Sequence, residues 1–292
     1  MAALQRLHVM SDIHIDYLEN RELVSALSAS EYQQDTLILA GDVTDDLALL
    51  ETCLAGLVGC FRHLVFVPGN HELWVKRSDH RDSLEKFRDI LALCESLGVV
   101  TEPLKIGGKQ AVWIVPLFSW YHTSEHPEDS LYLDKKAPRD KTFDMWSDFF
   151  ITQWPESVKD DICRYFLEQN QPRLSRHYDA PVVSVTHFLP RQELMLSTPE
   201  ERENSELTFR DLHPEFNFSQ VAGSWGIDRQ VRQLESRVHV YGHQHRNRCR
   251  QIEGITYLSH SMGYPRERKL GLVSQACTTP LQIWSDANGF LV

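Results

Sequence analysis

Val240-Tyr241-Gly242-His243-Gln244-His245 is the stretch from which the rest of the chain can be read. The run before it, Val238-His239-Val240-Tyr241, is β-branched and aromatic and predicts a strand. Residues two apart on an extended chain point the same way, so His243 and His245 would reach one centre if the backbone stays extended. Gly242 permits a tight turn as the chain leaves the strand. Imidazole is the commonest protein metal ligand. A His pair alone names no metal, so its partners have to come from elsewhere in the chain.

Working outward, four more predicted strands end in residues with ligand chemistry. Residues 7–10 run into Ser11-Asp12-Ile13-His14, and 36–40, a continuous apolar run as in a strand buried on both faces, into Gly41-Asp42-Val43-Thr44-Asp45-Asp46. Residues 61–67 run into Pro68-Gly69-Asn70-His71-Glu72, and 181–186 into His187. Helical spacing separates them: Leu47, Leu50, Leu54 and Leu57, then apolar positions from Leu84 to Leu97 with Gly98 as the stop. A hairpin is expected around Gly107-Gly108, a helix over 156–173, another over 227–234, and late strands at 255–258 and 281–284. This alternation predicts an α/β fold, a layered αββα arrangement, with its site beyond the carboxyl ends of strands. All five clusters sit at such ends.

Composition narrows the function. The 292 residues carry a formal net charge of −11 with a pI near 5.7. A nucleic-acid or membrane-surface binder would carry a basic face. An anionic substrate stays possible, because bound cations invert the local field. The six Cys form no Cys-x-x-Cys and are expected as reduced thiols. No apolar run is long enough to span a bilayer, and a cytoplasmic location is expected. The ligand-capable set is mixed O/N with no thiolate, which suits two divalent ions of the Mn, Fe, Zn or Ni type.

The five blocks together resemble the calcineurin-like metallophosphoesterases. Their pattern is Asp-x-His, Gly-Asp-x-x-Asp, Gly-Asn-His-Glu/Asp, a His, and Gly-His-x-His. Here it reads Asp12-Ile13-His14, Gly41-Asp42-Val43-Thr44-Asp45, Gly69-Asn70-His71-Glu72, His187 and Gly242-His243-Gln244-His245. The resemblance implies the family's four-layer αββα sandwich. It implies that Asp12, His14, Asp42 and His245 hold one ion and Asp42, Asn70, His187 and His243 the other, with Asp42 bridging. It implies a metal-bound hydroxide as nucleophile, His71 assisting the leaving oxygen, and Asp45 orienting His71. The chain departs from the Ser/Thr protein phosphatases: their Gly-Asp-x-x-Asp-Arg has Asp46 in place of the phosphate-binding Arg. The likeness is closer to the small bacterial-type phosphoesterases. A small phosphate ester is the expected substrate, a monoester somewhat before a diester. A non-catalytic scaffold with this fold is the alternative, and a nuclease a more remote one.

One domain over 1–292 is expected, with insertions at 117–155 and 189–222. The first is rich in aromatic residues and is open to three readings: a lid, the small core of a cap, or a contact in a homo-oligomer. Trp120 and Tyr121 are its candidates for substrate contact. Arg191, Arg266 and Arg268 are candidates for phosphate.

Overall fold

The computed structural model describes residues 5–27, 29–76, 79–134, 140–203 and 213–292. Parts of both expected insertions, 135–139 and 204–212, lie outside the described residues.

The described strands form two sheets. β1 (Arg6–Met10), β2 (Thr36–Leu39) and β3 (His63–Phe66) run parallel, with β10 (Leu281–Ser285) antiparallel on the far side of β1 and β11 (Gly289–Phe290) beyond it. The second sheet has the order β4 (Leu104–Ile106), β5 (Val112–Pro116), β6 (Val182–Val185), β7 (Val238–Tyr241), β9 (Ile255–Ser259), β8 (Cys249–Ile252). β5, β6, β7 and β9 are parallel, and the two edge strands pair antiparallel.

Alternation along each strand builds the layers. Leu7, Val9, Ile38, Val65, Val183, Val185, Val238 and Val240 pack into one core that joins the sheets face to face. The intervening residues, Leu37, Leu39, Leu64, Phe66 and Tyr241, point outward and pack with helical residues. Leu50, Leu54 and Leu57 of the helix Leu47–Cys60, with Leu84, Phe87 and Ile90 of Ser83–Leu97, cover the first sheet. Ile227 and Val231 of Trp225–Gln233 lie with Tyr241 and Tyr257. This is the αββα sandwich.

Local chemistry sets the helix ends. Asp46 and Asp82 accept hydrogen bonds from Leu49 N and Glu85 N, and Gly98 stops the second helix in the left-handed conformation, φ 74°. The helix expected over 156–173 begins later, at Ile162, because Asp161 caps it by accepting from Arg164 N; it breaks after Gln169 and resumes as Gln171–Leu174. The aromatic insertion forms two single turns, Thr142–Met145 and Asp148–Ile151. The segment after β9 holds a short helix, Pro265–Lys269, which is not among the expected elements. The six Cys are free thiols, and no helix among the described residues is long and apolar enough to cross a membrane.

Candidate metal centre

Both sheets point their parallel strands at one place. β1, β2 and β3 deliver Asp12, His14, Asp42, Asn70 and His71; β6 and β7 deliver His187, His243 and His245. All are buried except His71, whose side chain is 13% exposed. Five of them take positive φ: Asp12 51°, His14 37°, Asp42 56°, His243 74° and His245 53°. Asp and His tolerate this region better than most residues. Such backbone persists where the surroundings hold it, commonly at functional sites. It also alters the reading of the His pair. The chain is not extended at 243–245, so the two rings part instead of sharing a direction.

The parting yields two groups. Asp12, His14, Asp42 and His245 each offer a ligand atom within 4.8 Å of the others, and so do Asp42, His187 and His243. Asn70 joins the second group, its Oδ1 lying 3.2 Å from His187 Nε2. Asp42 is common to both.

Glycine is required where the groups close. A Cβ on Gly242 would lie 2.6 Å from Asp12 Oδ2, and one on Gly69 would strike Asp42 Oδ1. Close approach, more than a tight turn, is the use of Gly242. Glu72 ties the loops together: its buried carboxylate accepts from the backbone N–H of Asp42 (3.0 Å), Val43 (2.6 Å), Thr44 (3.2 Å) and Gly69 (2.6 Å).

Hydrogen bonds fix which atom each ring presents. His187 Nδ1 donates to the Ala40 carbonyl at 2.8 Å, and a carbonyl can only accept. Its Nε2 therefore faces Asp42 Oδ2 at 3.3 Å. His243 Nε2 donates to the Val221 carbonyl at 2.9 Å, which leaves Nδ1. His245 Nδ1 donates to Glu267 Oε2 at 2.7 Å, so Nε2 faces Asp12 Oδ1 at 3.3 Å and His14 Nε2 at 2.9 Å. The Asn70 amide donates to Asp148 Oδ1 at 3.0 Å, turning its oxygen inward. Asp12 accepts from Ser11 and Ser261 hydroxyls and from His243 N.

Lone pairs thus converge on two buried points, with His14 Nε2 and His245 Nε2 2.9 Å apart. A cation fits such a donor set. Protons are the competing occupants. Burial opposes charge on His187, yet Asp42 and Asp12 push it up to about 9; Glu267 and Asp12 raise His245 against the same opposition. Burial and His187 hold His243 down to about 3, and burial with His71 and His245 lowers His14. Burial alone would raise Asp12 and Asp42, but His245 and His187 respectively hold them below the usual carboxylate range.

His71 stands at the edge of the shared carboxylate. Its backbone N–H donates to Asp42 Oδ1 at 3.1 Å and its ring Nε2 lies 3.8 Å from Oδ2. Its ring lies on Trp74, centroids 3.7 Å apart. Among the described residues no hydrogen bond or ion pair joins Asp45 to His71; the Asp45 backbone carbonyl accepts from Lys86 Nζ at 2.6 Å. Trp120 and Tyr121 are in the core, 2% and 6% exposed. Both pack on Phe188, which separates Tyr121 from His243. Arg191 is paired with Glu193, Asp228 and Glu253, and Arg268 is spent on Met262 O, Gly263 O, Asn20 and Glu19. Arg266 is exposed.

Four residues at the site were not singled out from sequence: Ser261, Tyr264, Glu267 and Asp148. For Glu267 there was a signal, a Tyr-Pro-x-Glu helix start; its carboxylate accepts from Tyr264 N at 2.7 Å.

A profile of the calcineurin-like phosphoesterase family matches residues 5–247. The [acyl-carrier-protein] phosphodiesterase PptH of Mycobacterium tuberculosis is 28% identical over 277 residues, covering 89% of this chain and 78% of that protein. The crystal structure of the phosphopantetheinyl hydrolase PptH from the same organism superposes with a TM-score of 0.75 at 24% identity, covering 97% of each chain. That likeness carries the fold.

Proposed function

We propose that this chain, which belongs to the calcineurin-like phosphoesterase family and is a metal-dependent phosphoesterase, cleaves a phosphate diester using two divalent ions. The observation that carries the reading is the pair of buried ligand groups meeting at Asp42. Bound there, ions of the Mn, Fe, Zn or Ni type supply an activated water and neutralise phosphoryl charge. Asp12, His14, Asp42 and His245 would hold one, and Asp42, Asn70, His187 and His243 the other.

The chain's own residues do the rest. The backbone N–H of His71 anchors it to Asp42, and its ring lies on Trp74, so that Nε2 can give a proton to the leaving oxygen. A diester fits better than the monoester first expected. A dianionic monoester calls for a fixed cation such as the Arg that Asp46 replaces. Arg191 and Arg268 are already paired, and Lys86 Nζ is spent on Asp45 O and Trp74 O.

The substrate class follows the relative: a phosphopantetheinyl diester on a carrier protein. Phe143, Met145, Phe149 and Phe150 are 38–57% exposed on the aromatic insertion and would give such a protein an apolar surface. We read the chain as one domain, in the cytoplasm, whose insertions flank the centre. Trp120 and Tyr121 support that flank from behind.

The test is hydrolysis by Mn²⁺-reconstituted protein. Bis(p-nitrophenyl) phosphate should turn over faster than p-nitrophenyl phosphate, and a phosphopantetheinylated carrier protein should lose its prosthetic group by mass spectrometry. His71→Ala should keep its metal and lose about 10²–10⁴-fold in turnover. Inactivity on all three with every divalent ion would contradict the proposal.

A further inference from the structure

Tyr264 belongs to none of the motifs, yet it touches three histidines of the centre. Its ring lies 4.3 Å from that of His14 at an interplanar angle of 32°, and 4.9 Å from His245, edge to face. Its hydroxyl is 3.5 Å from His71 Nε2. The backbone that carries it is tied to the first strand end: Met262 N donates to Ser11 O and Gly263 N to Asp12 O, each at 3.0 Å. Asn20 and Arg268 donate to the Gly263 carbonyl, and Glu267 Oε2 accepts from Tyr264 N as well as from His245. The phenol is therefore positioned by the same framework as the ligands.

We propose that Tyr264 is a catalytic residue whose hydroxyl, together with His71 Nε2–H, grips the oxygen of the leaving group. The assignment rests on the ester hydrolysis proposed above. At 3.5 Å the two groups are at the outer limit of a hydrogen bond to each other. One substrate oxygen set between them reaches both at about 2.8 Å. A neutral phenol donates through O–H, so no ionisation is needed. Water adds its oxygen to phosphorus and the P–O bond to the leaving group breaks. The electron pair stays on the leaving oxygen, which takes the proton of His71 Nε2; the proton released by water restores that ring. Tyr264 keeps its own proton throughout and stabilises the charge that grows on the oxygen.

The test compares two diesters on Mn²⁺-loaded wild type and Tyr264→Phe: bis(p-nitrophenyl) phosphate, whose phenolate leaves readily, and a serine-linked alkyl phosphodiester, whose alkoxide does not. Phenylalanine keeps the ring on His14, so metal content and melting temperature should be unchanged. On the alkyl ester kcat should fall about 10–100-fold, the worth of a hydrogen bond to a charged group, with KM little changed. On the aryl ester the loss should be below about threefold, since little charge needs help. Equal losses on both esters, no loss on either, or loss of bound metal would overturn the assignment. Inactivity of the wild type on both esters would overturn the hydrolysis reading itself, and Tyr264 would fall with it.

Discussion

The two ligand groups share Asp42 but are supported by different parts of the chain. Around Asp12, His14 and His245 the support is mostly side-chain chemistry: the Ser11 and Ser261 hydroxyls on Asp12, and the Glu267 carboxylate on His245. Around His187 and His243 it is backbone, the Ala40 and Val221 carbonyls, and only Asn70 has a carboxylate behind it, Asp148 of the aromatic insertion. Aromatic rings of Phe188, Phe218 and Trp146 enclose His243 as well. Each group therefore has one supporting carboxylate, drawn from a different part of the chain, and the two should be separable by mutation.

Asp42→Ala should have the largest effect, because it removes the member both groups share: metal content should fall at both and turnover should drop to background. Retention of one full equivalent of metal would mean the groups are independent. Glu267→Gln and Asp148→Asn come next. Loss of such a partner typically costs about 10–100-fold in metal affinity. In a titration with Mn²⁺, Glu267→Gln should weaken one binding step and Asp148→Asn the other. Equal weakening of both steps by either variant would break the comparison.

A smaller effect follows from pH. His187, pushed up to about 9, must lose a proton before its Nε2 can ligate. Affinity at the group containing His187 should therefore rise as pH approaches about 9 and then level. Chelated protein should behave oppositely. A folded-state value above the ordinary 6.5 gives stability that is present below about 6.5 and lost as pH rises through about 9, which its melting temperature would report. The smallest effect on the centre is expected from Leu54→Ala, fully buried on the far face of the first sheet. It should lower stability by about 2–5 kcal/mol and leave the metal content alone.

What was legible in the sequence was what repeats a local rule. Apolar runs gave the parallel strands, leucine spacing gave Leu47–Cys60, and Asp82 and Gly98 bracketed Ser83–Leu97. The candidate ligand residues fall at strand ends, where a parallel sheet exposes them. The supporting residues do not. Glu267, Tyr264 and Asp148 lie in helices of one turn or at their edges, too short for periodicity, and they act on the centre through contacts from 22 to 193 positions away. Two local inferences met tertiary structure differently. An extended chain at His243 and His245 would aim both rings together, but left-handed backbone at each separates them. Trp120 and Tyr121, the candidates for substrate contact, pack in the core, since large rings after a strand are as easily buried as offered.

The central claim is a shared two-ion centre, and anomalous diffraction from crystals soaked in Mn²⁺ tests it most directly. The account predicts two peaks about 3.5–4 Å apart, one among Asp12, His14 and His245, the other among Asn70, His187 and His243, with Asp42 between them. A single peak, or a second one away from these residues, would contradict it.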